Sequence, residues 1–367
     1  MADIPHLNTL RSGRGGLRGR GFRRGGRAIP ENDDISTLPL ESEAQTRDRI
    51  IQQTDNDASA SRLSAIQLGY LNDDYAKELA QPREPVTRRY PIINRGTYVR
   101  SQAIDHLMEL ALNDETQACR QVISLGAGSD TRYFRMSQNY RVQYHELDFE
   151  ANISTKRAAF ERSSELTSHE KRYTMTGAAH HLHAIDLREL ASDDAPTLPH
   201  IDWTLPTVIL SECCLCYLAP DTAGAVIRYF TSRLQSSVGL ILYEPIRPND
   251  AFGKTMVTNL GSRGIHLQTL KRYHSLEAQR HRIKLAGLDA GQGARDVYQI
   301  WESEAWISRA ERERVEALEW LDEIEEWKLL ACHYCVAWGW RGQHFSETWG
   351  SLEGGKMDEE LRQDGVA

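Results

Sequence analysis

Gln121-Val-Ile-Ser-Leu-Gly-Ala-Gly-Ser-Asp130 is the stretch on which the reading of this chain turns. A short β-branched run, Val122 and Ile123, leads into the glycine turn Gly126-Ala127-Gly128, and a helix-like segment follows. About twenty residues on, a second strand-like run ends in acid, Tyr144-His145-Glu146-Leu147-Asp148-Phe149. An α/β sheet holds the nucleoside part of a cofactor in this way. Glycine lets the backbone come close, and a carboxylate at the end of the next strand accepts the ribose hydroxyls.

The turn also bears on which cofactor it suits. A dinucleotide site wants a third glycine, for close packing of the helix whose N-terminus holds the pyrophosphate. Here Gly126-Ala127-Gly128 is followed by Ser129-Asp130-Thr131, so that glycine is missing and an acid stands in the turn. An acid beside a pyrophosphate is repelled, whereas beside a cation it is tolerated. S-adenosylmethionine carries a sulfonium and an ammonium and no phosphate. The turn therefore favours a methyltransferase over a dehydrogenase.

From residue 121 onward, strand-like runs at 122–125, 142–148, 182–187, 207–211 and 239–243 alternate with helix-like segments. Such alternation predicts a largely parallel sheet covered on both faces. Helices are expected at 64–79 and 98–112, with a Pro- and Arg-rich connection at 81–97. One helix is expected over 312–330 and a last strand over 332–340. Ligands of open α/β sheets bind outside the carboxyl ends of the strands. Each expected strand end carries a suitable group: Gly126, Asp148 with Glu146, Asp186-Leu187, Ser211-Glu212 and Glu244. Asp148 and Asp186 also suit helix N-caps. Glu212, between Val208-Ile209-Leu210 and Cys213-Cys214-Leu215-Cys216, needs a partner for its charge, and a ligand ammonium would supply one.

Composition narrows the class further. The 367 residues allow one large domain or two ordinary ones. Six cysteines follow no secreted disulfide pattern, no signal-peptide pattern opens the sequence, and the apolar run around 208–219 is too short to span a bilayer. A soluble, cytoplasmic protein is expected, with a nuclear share left open. Seven Arg and seven Gly fall within residues 11–27. That glycine density predicts disorder. Arg-Gly tracts can bind RNA, although a solvated tail is the simpler reading. The first 30 residues carry +6 within a chain of net −8, which leaves −14 on the body, a poor platform for nucleic-acid backbones. The expected organisation is an Arg/Gly-rich and polar arm at 1–58, a catalytic domain at 59–345 with a helical lid at about 60–118, and a polar tail at 346–367. Cys332-x-x-Cys335 and His180-His181-x-His183 invite a metal assignment, but zinc normally wants four ligands and none is expected.

These residues resemble the leucine carboxyl methyltransferase family, over about 63–339. The marks are Ile93-Asn94-Arg95-Gly96 with Arg100, the glycine turn, Glu146-Leu147-Asp148-Phe149, Ser211-Glu212-Cys213 with Tyr217, and Tyr243-Glu244. Phe252-Gly253-Lys254-Thr255-Met256, the run from Glu316 to Glu323, and His333-Tyr334-Cys335 complete them. The resemblance implies a Rossmann-like S-adenosylmethionine-dependent fold with a seven-stranded, mostly parallel sheet whose last strand is antiparallel. It implies methylation of the C-terminal leucine of the protein phosphatase 2A catalytic subunit, recognised by its tail and by its folded surface. Carried over by residue, Gly126 approaches the cofactor, Asp148 holds its ribose, Asp186 and Leu187 contact its adenine, and Glu212 meets its amino group. Arg100 lies where cofactor and substrate carboxylates meet. Arg62 aligns with a basic cofactor contact that is often Lys in the family.

A carboxylate is already ionised at neutral pH, so the reaction needs no general base. Catalysis then rests on alignment, which supplies roughly 7–11 kcal/mol. Arg100 is the expected anchor for the terminal carboxylate, through paired hydrogen bonds, with Tyr217 as a further donor. The segment from Arg88 to Ile93 is the expected pocket wall. Competing readings are an RNA-directed methyltransferase of the tRNA wybutosine type, a small-molecule carboxyl methyltransferase, and a catalytically inactive capping protein. Relatives that modify the tRNA base carry kelch repeats, and no repeat is visible here.

Overall fold

The structure, a computed structural model, describes residues 42–80, 87–113, 118–175 and 177–352. Residues 1–41 of the expected arm, 81–86 of the expected connection and 353–367 of the expected tail lie outside them. One seven-stranded sheet organises the chain: β1 (Arg120–Leu125), β2 (Val142–Asp148), β3 (Ala179–Ala184), β4 (Thr207–Glu212), β5 (Val238–Pro245), β6 (Gly291–Asp296) and β7 (Tyr334–Arg341). The order is β3-β2-β1-β4-β5-β7-β6, and β7 runs antiparallel to both of its neighbours. The order reverses between β1 and β4, which pair in parallel with Leu125 beside Ser211. That reversal opens a crevice at their carboxyl ends, where the glycine turn and Glu212 emerge.

Side chains alternate across the sheet into two cores. Val122, Tyr144, Val208 and Ile241 point to one face. There they meet α3 (Pro91–Leu112), α10 (Val297–Glu302), α12 (Ile324–Cys332) and α13 (Gln343–Trp349). Ile123, Leu147, Ile209 and Leu240 point to the other, against α7 (Pro220–Thr231) and α9 (Leu276–Leu285). The remaining helices are α1 (Glu43–Gln67), α2 (Ala76–Leu79), α4 (Arg132–Met136), α5 (Glu150–Arg162), α6 (Ser164–Thr174), α8 (Ala251–Ser262) and α11 (Arg309–Glu316). Among the described residues no helix is long and apolar enough to cross a membrane.

Several boundaries differ from the sequence reading. Helix α1 starts at Glu43, inside the polar arm expected at 1–58, because Ser42 and Gln45 cap it reciprocally: Gln45 N donates to Ser42 Oγ and Ser42 N to Gln45 Oε1. It ends at Gln67, so 64–79 is not one helix. Helix α3 begins at Pro91, so Ile93-Asn94-Arg95-Gly96 are helical and not connection. The single helix expected over 312–330 is two, α11 and α12. Between them Glu319 turns into the body, accepting from Arg88 Nη2 at 2.6 Å and Asn94 Nδ2 at 2.8 Å. Strand β3 ends at Ala184, and Leu187–Ala191 forms a 3-10 turn capped by Asp186. Strand β6 escaped notice because Gly291-Gln-Gly-Ala-Arg-Asp296 has no apolar alternation.

Order also continues beyond residue 345. Helix α13 brings Trp349 into the core with no exposed surface, and its indole N–H donates to Leu107 O at 3.0 Å. Trp349→Ala is therefore expected to cost about 3–5 kcal/mol. Urea unfolding measures this, and a change under about 1 kcal/mol would return α13 to the status of a tail.

Candidate active site

Gly126 and Gly128 hold left-handed backbone, with φ of +66° and +46°. A Cβ at Gly126 would stand 2.6 Å from Cys214 Sγ, and one at Gly128 would stand 2.2 Å from Asp55 Oδ1. The turn thus brings two side chains, one from the segment after β4 and one from α1, against its own backbone. Gly126 N donates to Leu147 O at 2.7 Å and Gly128 N to Asp148 Oδ2 at 2.7 Å, which ties the turn to the end of β2. Asp55 accepts from both the backbone N–H and the hydroxyl of Ser129 at 2.8 Å, which ties α1 to the turn.

A cavity of about 250 Å³ lies over these strand ends and beneath α1. Gly126, Asp148, Asp186, Leu187 and Tyr217 all line it. Phe149, Ile185, Leu187 and Leu218 supply apolar walls, while Asp48, Asp55, Asp148 and Asp186 face Arg47 and Arg188, so the charged lining nets −2. Apolar walls with a few convergent carboxylates suit a flat base and a hydroxylated sugar. The negative balance suits a cationic ligand and disfavours a pyrophosphate. S-adenosylmethionine fits on both counts. Asp148 would hold its ribose, and Asp186 with Leu187 its adenine.

The two acids of β2 have different surroundings. Glu146 is fully buried; it meets the Lys156 ammonium and lies 3.2 Å from His180 Nε2. Burial alone would raise the Glu146 carboxyl, but Lys156 and His180 together hold it below its ordinary value. Asp148 faces the cavity, accepting from Gly128 N, Phe149 N at 2.7 Å and Asn152 Nδ2 at 2.9 Å. Burial raises its carboxyl above the ordinary range, and nearby Asp55 adds to the rise.

The other expected site residues stand behind the cavity wall. Glu212 does have partners, but they are arginines: Arg100 Nε at 2.9 Å and Arg132 Nη1 at 2.7 Å. Arg100 is buried on α3, its guanidinium 5.5 Å from the Tyr243 ring centroid. Arg62 is buried on α1 and donates to Ser129 O at 2.8 Å. Arg62, Arg100 and Glu212 are not among the residues lining the cavity. The acid of the glycine turn also faces inward, with Asp130 Oδ2 2.9 Å from Arg132 Nη1, so it does not confront a ligand. Glu244 at the fifth strand end pairs with Arg282 at 2.8 Å. Ile92 and Ile93 pack in the core and Arg88 binds Glu319, so 88–93 forms no wall of this cavity.

Two features were missed in the sequence. Arg132, 1% exposed, joins Asp105, Asp130 and Glu212 and has no motif that announces it. The other is the α1 face of Arg47, Asp48, Ile51, Gln52, Thr54 and Asp55 that roofs the cavity. Ser42-x-x-Gln45 was its available signal. Neither the thiol of Cys214 nor the phenol of Tyr217 is easily ionised, since burial pushes both up.

Asp148→Ala is expected to weaken S-adenosylmethionine binding by tenfold or more, on the order of one charge-assisted hydrogen bond, by calorimetric titration. Glu146→Gln should instead act on stability, by about 3–5 kcal/mol at pH 7 from a broken buried pair. A depressed carboxyl stabilises above its unfolded pKa and loses that contribution as pH falls through its folded one. The Glu146→Gln deficit in urea unfolding should therefore shrink below about pH 4. An unchanged affinity in Asp148→Ala, with a lowered one in Glu146→Gln, would reverse the assignment.

Comparison with known proteins shows the family. The leucine carboxyl methyltransferase family model matches residues 42–231. Leucine carboxyl methyltransferase 1 of Aspergillus fumigatus is 47% identical, over 96% of this chain and 98% of that protein. Its counterpart in Emericella nidulans is also 47% identical, over 97% and 99%. The counterpart in Schizosaccharomyces pombe is 38% identical, over 78% and 93%. The chain belongs to the leucine carboxyl methyltransferase family and is an S-adenosylmethionine-dependent carboxyl methyltransferase.

Proposed function

We propose that this enzyme methylates the α-carboxylate of the C-terminal leucine of the protein phosphatase 2A catalytic subunit, in the cytoplasm. The observation that carries the reading is the lining of the cavity. Among the described residues it holds no histidine, its thiol Cys214 and phenol Tyr217 are pushed up by burial, and its carboxylates stand at the nucleoside end. A site so furnished suits a nucleophile that arrives already ionised, and a peptide carboxylate does.

Bound S-adenosylmethionine would supply an electrophilic methyl group. The chain's own residues would do the rest. Asp148, with Asp186 and Leu187, fixes the nucleoside. Arg100, which Glu212 holds behind the cavity wall, would meet the incoming carboxylate once substrate binding opens that wall. The Tyr217 hydroxyl, kept protonated, donates to the same carboxylate. Helix α1 covers the cavity and excludes water, which strips a hydrated nucleophile of its shell. Gripping one oxygen leaves the other to react.

Methyl-labelled S-adenosylmethionine with the phosphatase catalytic subunit, intact or lacking its terminal leucine, tests the proposal. Base-labile label on the intact subunit alone is the expected result. Label on neither, with the cofactor still bound, would contradict it and redirect the search to RNA or small carboxylic acids. Arg100→Lys keeps a cation beside Glu212 but loses the planar fork. It should lower kcat/KM by on the order of 100-fold, and near-normal turnover would remove Arg100 as the anchor.

A further inference from the structure

Arg188 joins three walls of the cofactor cavity. It lies in the 3-10 turn after β3, two residues past its cap Asp186, and its guanidinium binds that carboxylate through Nε at 2.9 Å to each oxygen. The opposite edge reaches α1, with Nη1 3.1 Å from Asp48 Oδ1 and Nη2 2.6 Å from Asp48 Oδ2. The same group lies 5.9 Å from the ring centroid of Phe149, the residue after Asp148. All four residues line the cavity.

Helix α1 is held unevenly along its length. Its buried residues are Thr54, Ala58, Ser61, Arg62, Leu63, Ser64 and Ala65, none of them before Thr54. In residues 43–53 no side chain is fully buried, and Ile50 and Ile51 only partly join the core. A segment with so little buried apolar surface opens at low free energy. Yet Arg47, Asp48, Ile51 and Gln52 of this half roof the cavity. The two-pronged Arg188–Asp48 contact ties it to the opposite wall, and a planar guanidinium holds a carboxylate in one geometry better than an ammonium can.

We propose that Arg188 is a latch. It closes the first half of α1 over the cofactor cavity and fixes Asp186 at the same time, and so sets how fast the cofactor leaves. Arg188 is here a positioning residue, acting through Asp48 and Asp186.

Hydrogen exchange on the full-length protein without cofactor tests the latch directly. Amides in 43–53 should exchange at least several-fold faster in Arg188→Ala and in Asp48→Asn, while 58–67 stays unchanged. The double variant should be no faster than either single one, because both remove one contact. Arg157→Ala, which removes an exposed pair with Glu150 on α5, should leave 43–53 as in the wild type. Stopped-flow displacement of S-adenosylhomocysteine should show the same order, with Arg188→Lys only partly restoring slow release. Unchanged exchange in 43–53 would overturn the latch. So would additive effects in the double variant, or faster exchange with no change in release rate.

Discussion

The charge of Arg132 is the constraint on which this architecture rests. The side chain is 1% exposed, and a guanidinium cannot shed its proton to escape burial. It must therefore be surrounded by acids. Asp105 comes from α3, Asp130 from the glycine turn and Glu212 from the end of β4. Burial works against the charged form of Arg132, but these carboxylates outweigh it and raise its pKa well above the ordinary value. Arg135 adds a second cation at Asp105, and Arg100 a second at Glu212. Breaking one such pair leaves another charge stranded, so the group stands or falls together. One side chain thereby aligns the helix that carries Arg100, the turn that carries Gly126 and the strand that carries Glu212.

Floor and roof of the cavity obey different physics. The floor is set by buried charges and by backbone that only glycine adopts easily, and it is rigid for both reasons. The roof is a polar helix, held by Asp55 on Ser129 near its middle and by Asp48 on Arg188 near its start. A rigid floor suits a reaction that depends on alignment. A loosely held roof suits a cofactor that must enter, and leave changed, in every turnover. Glu212 stands behind the floor, and any ligand ammonium that reaches it must share it with two guanidinium groups.

The sequence disclosed what is local. The positions of the glycine turn, of Asp148 at the next strand end and of Asp186 before its short turn were legible because each is set within a few residues of its element. The largely parallel sheet followed from the alternation of strands and helices, and its seven strands with an antiparallel last one from the family resemblance; the reversal between β1 and β4 came only from the structure. Contacts distant along the chain stayed hidden. Arg132 finds Glu212 eighty residues away, and nothing in either neighbourhood names the other. Helix α1 was hidden differently: most of its residues are polar and its first half has no apolar stripe, so periodicity was silent and only the cap at Ser42 spoke. Glu319 broke an expected helix because its partners, Arg88 and Asn94, lie more than two hundred residues earlier. Glu212 was rightly read as needing a partner, but the fold supplies arginine.

Whether the cavity beneath α1 receives the cofactor is decided by a crystal structure with S-adenosylhomocysteine. The ribose hydroxyls should lie on Asp148, the adenine beside Asp186 and Leu187, and α1 closed above them. A nucleoside bound elsewhere, or bound with Asp148 and Asp186 untouched, would contradict that placement.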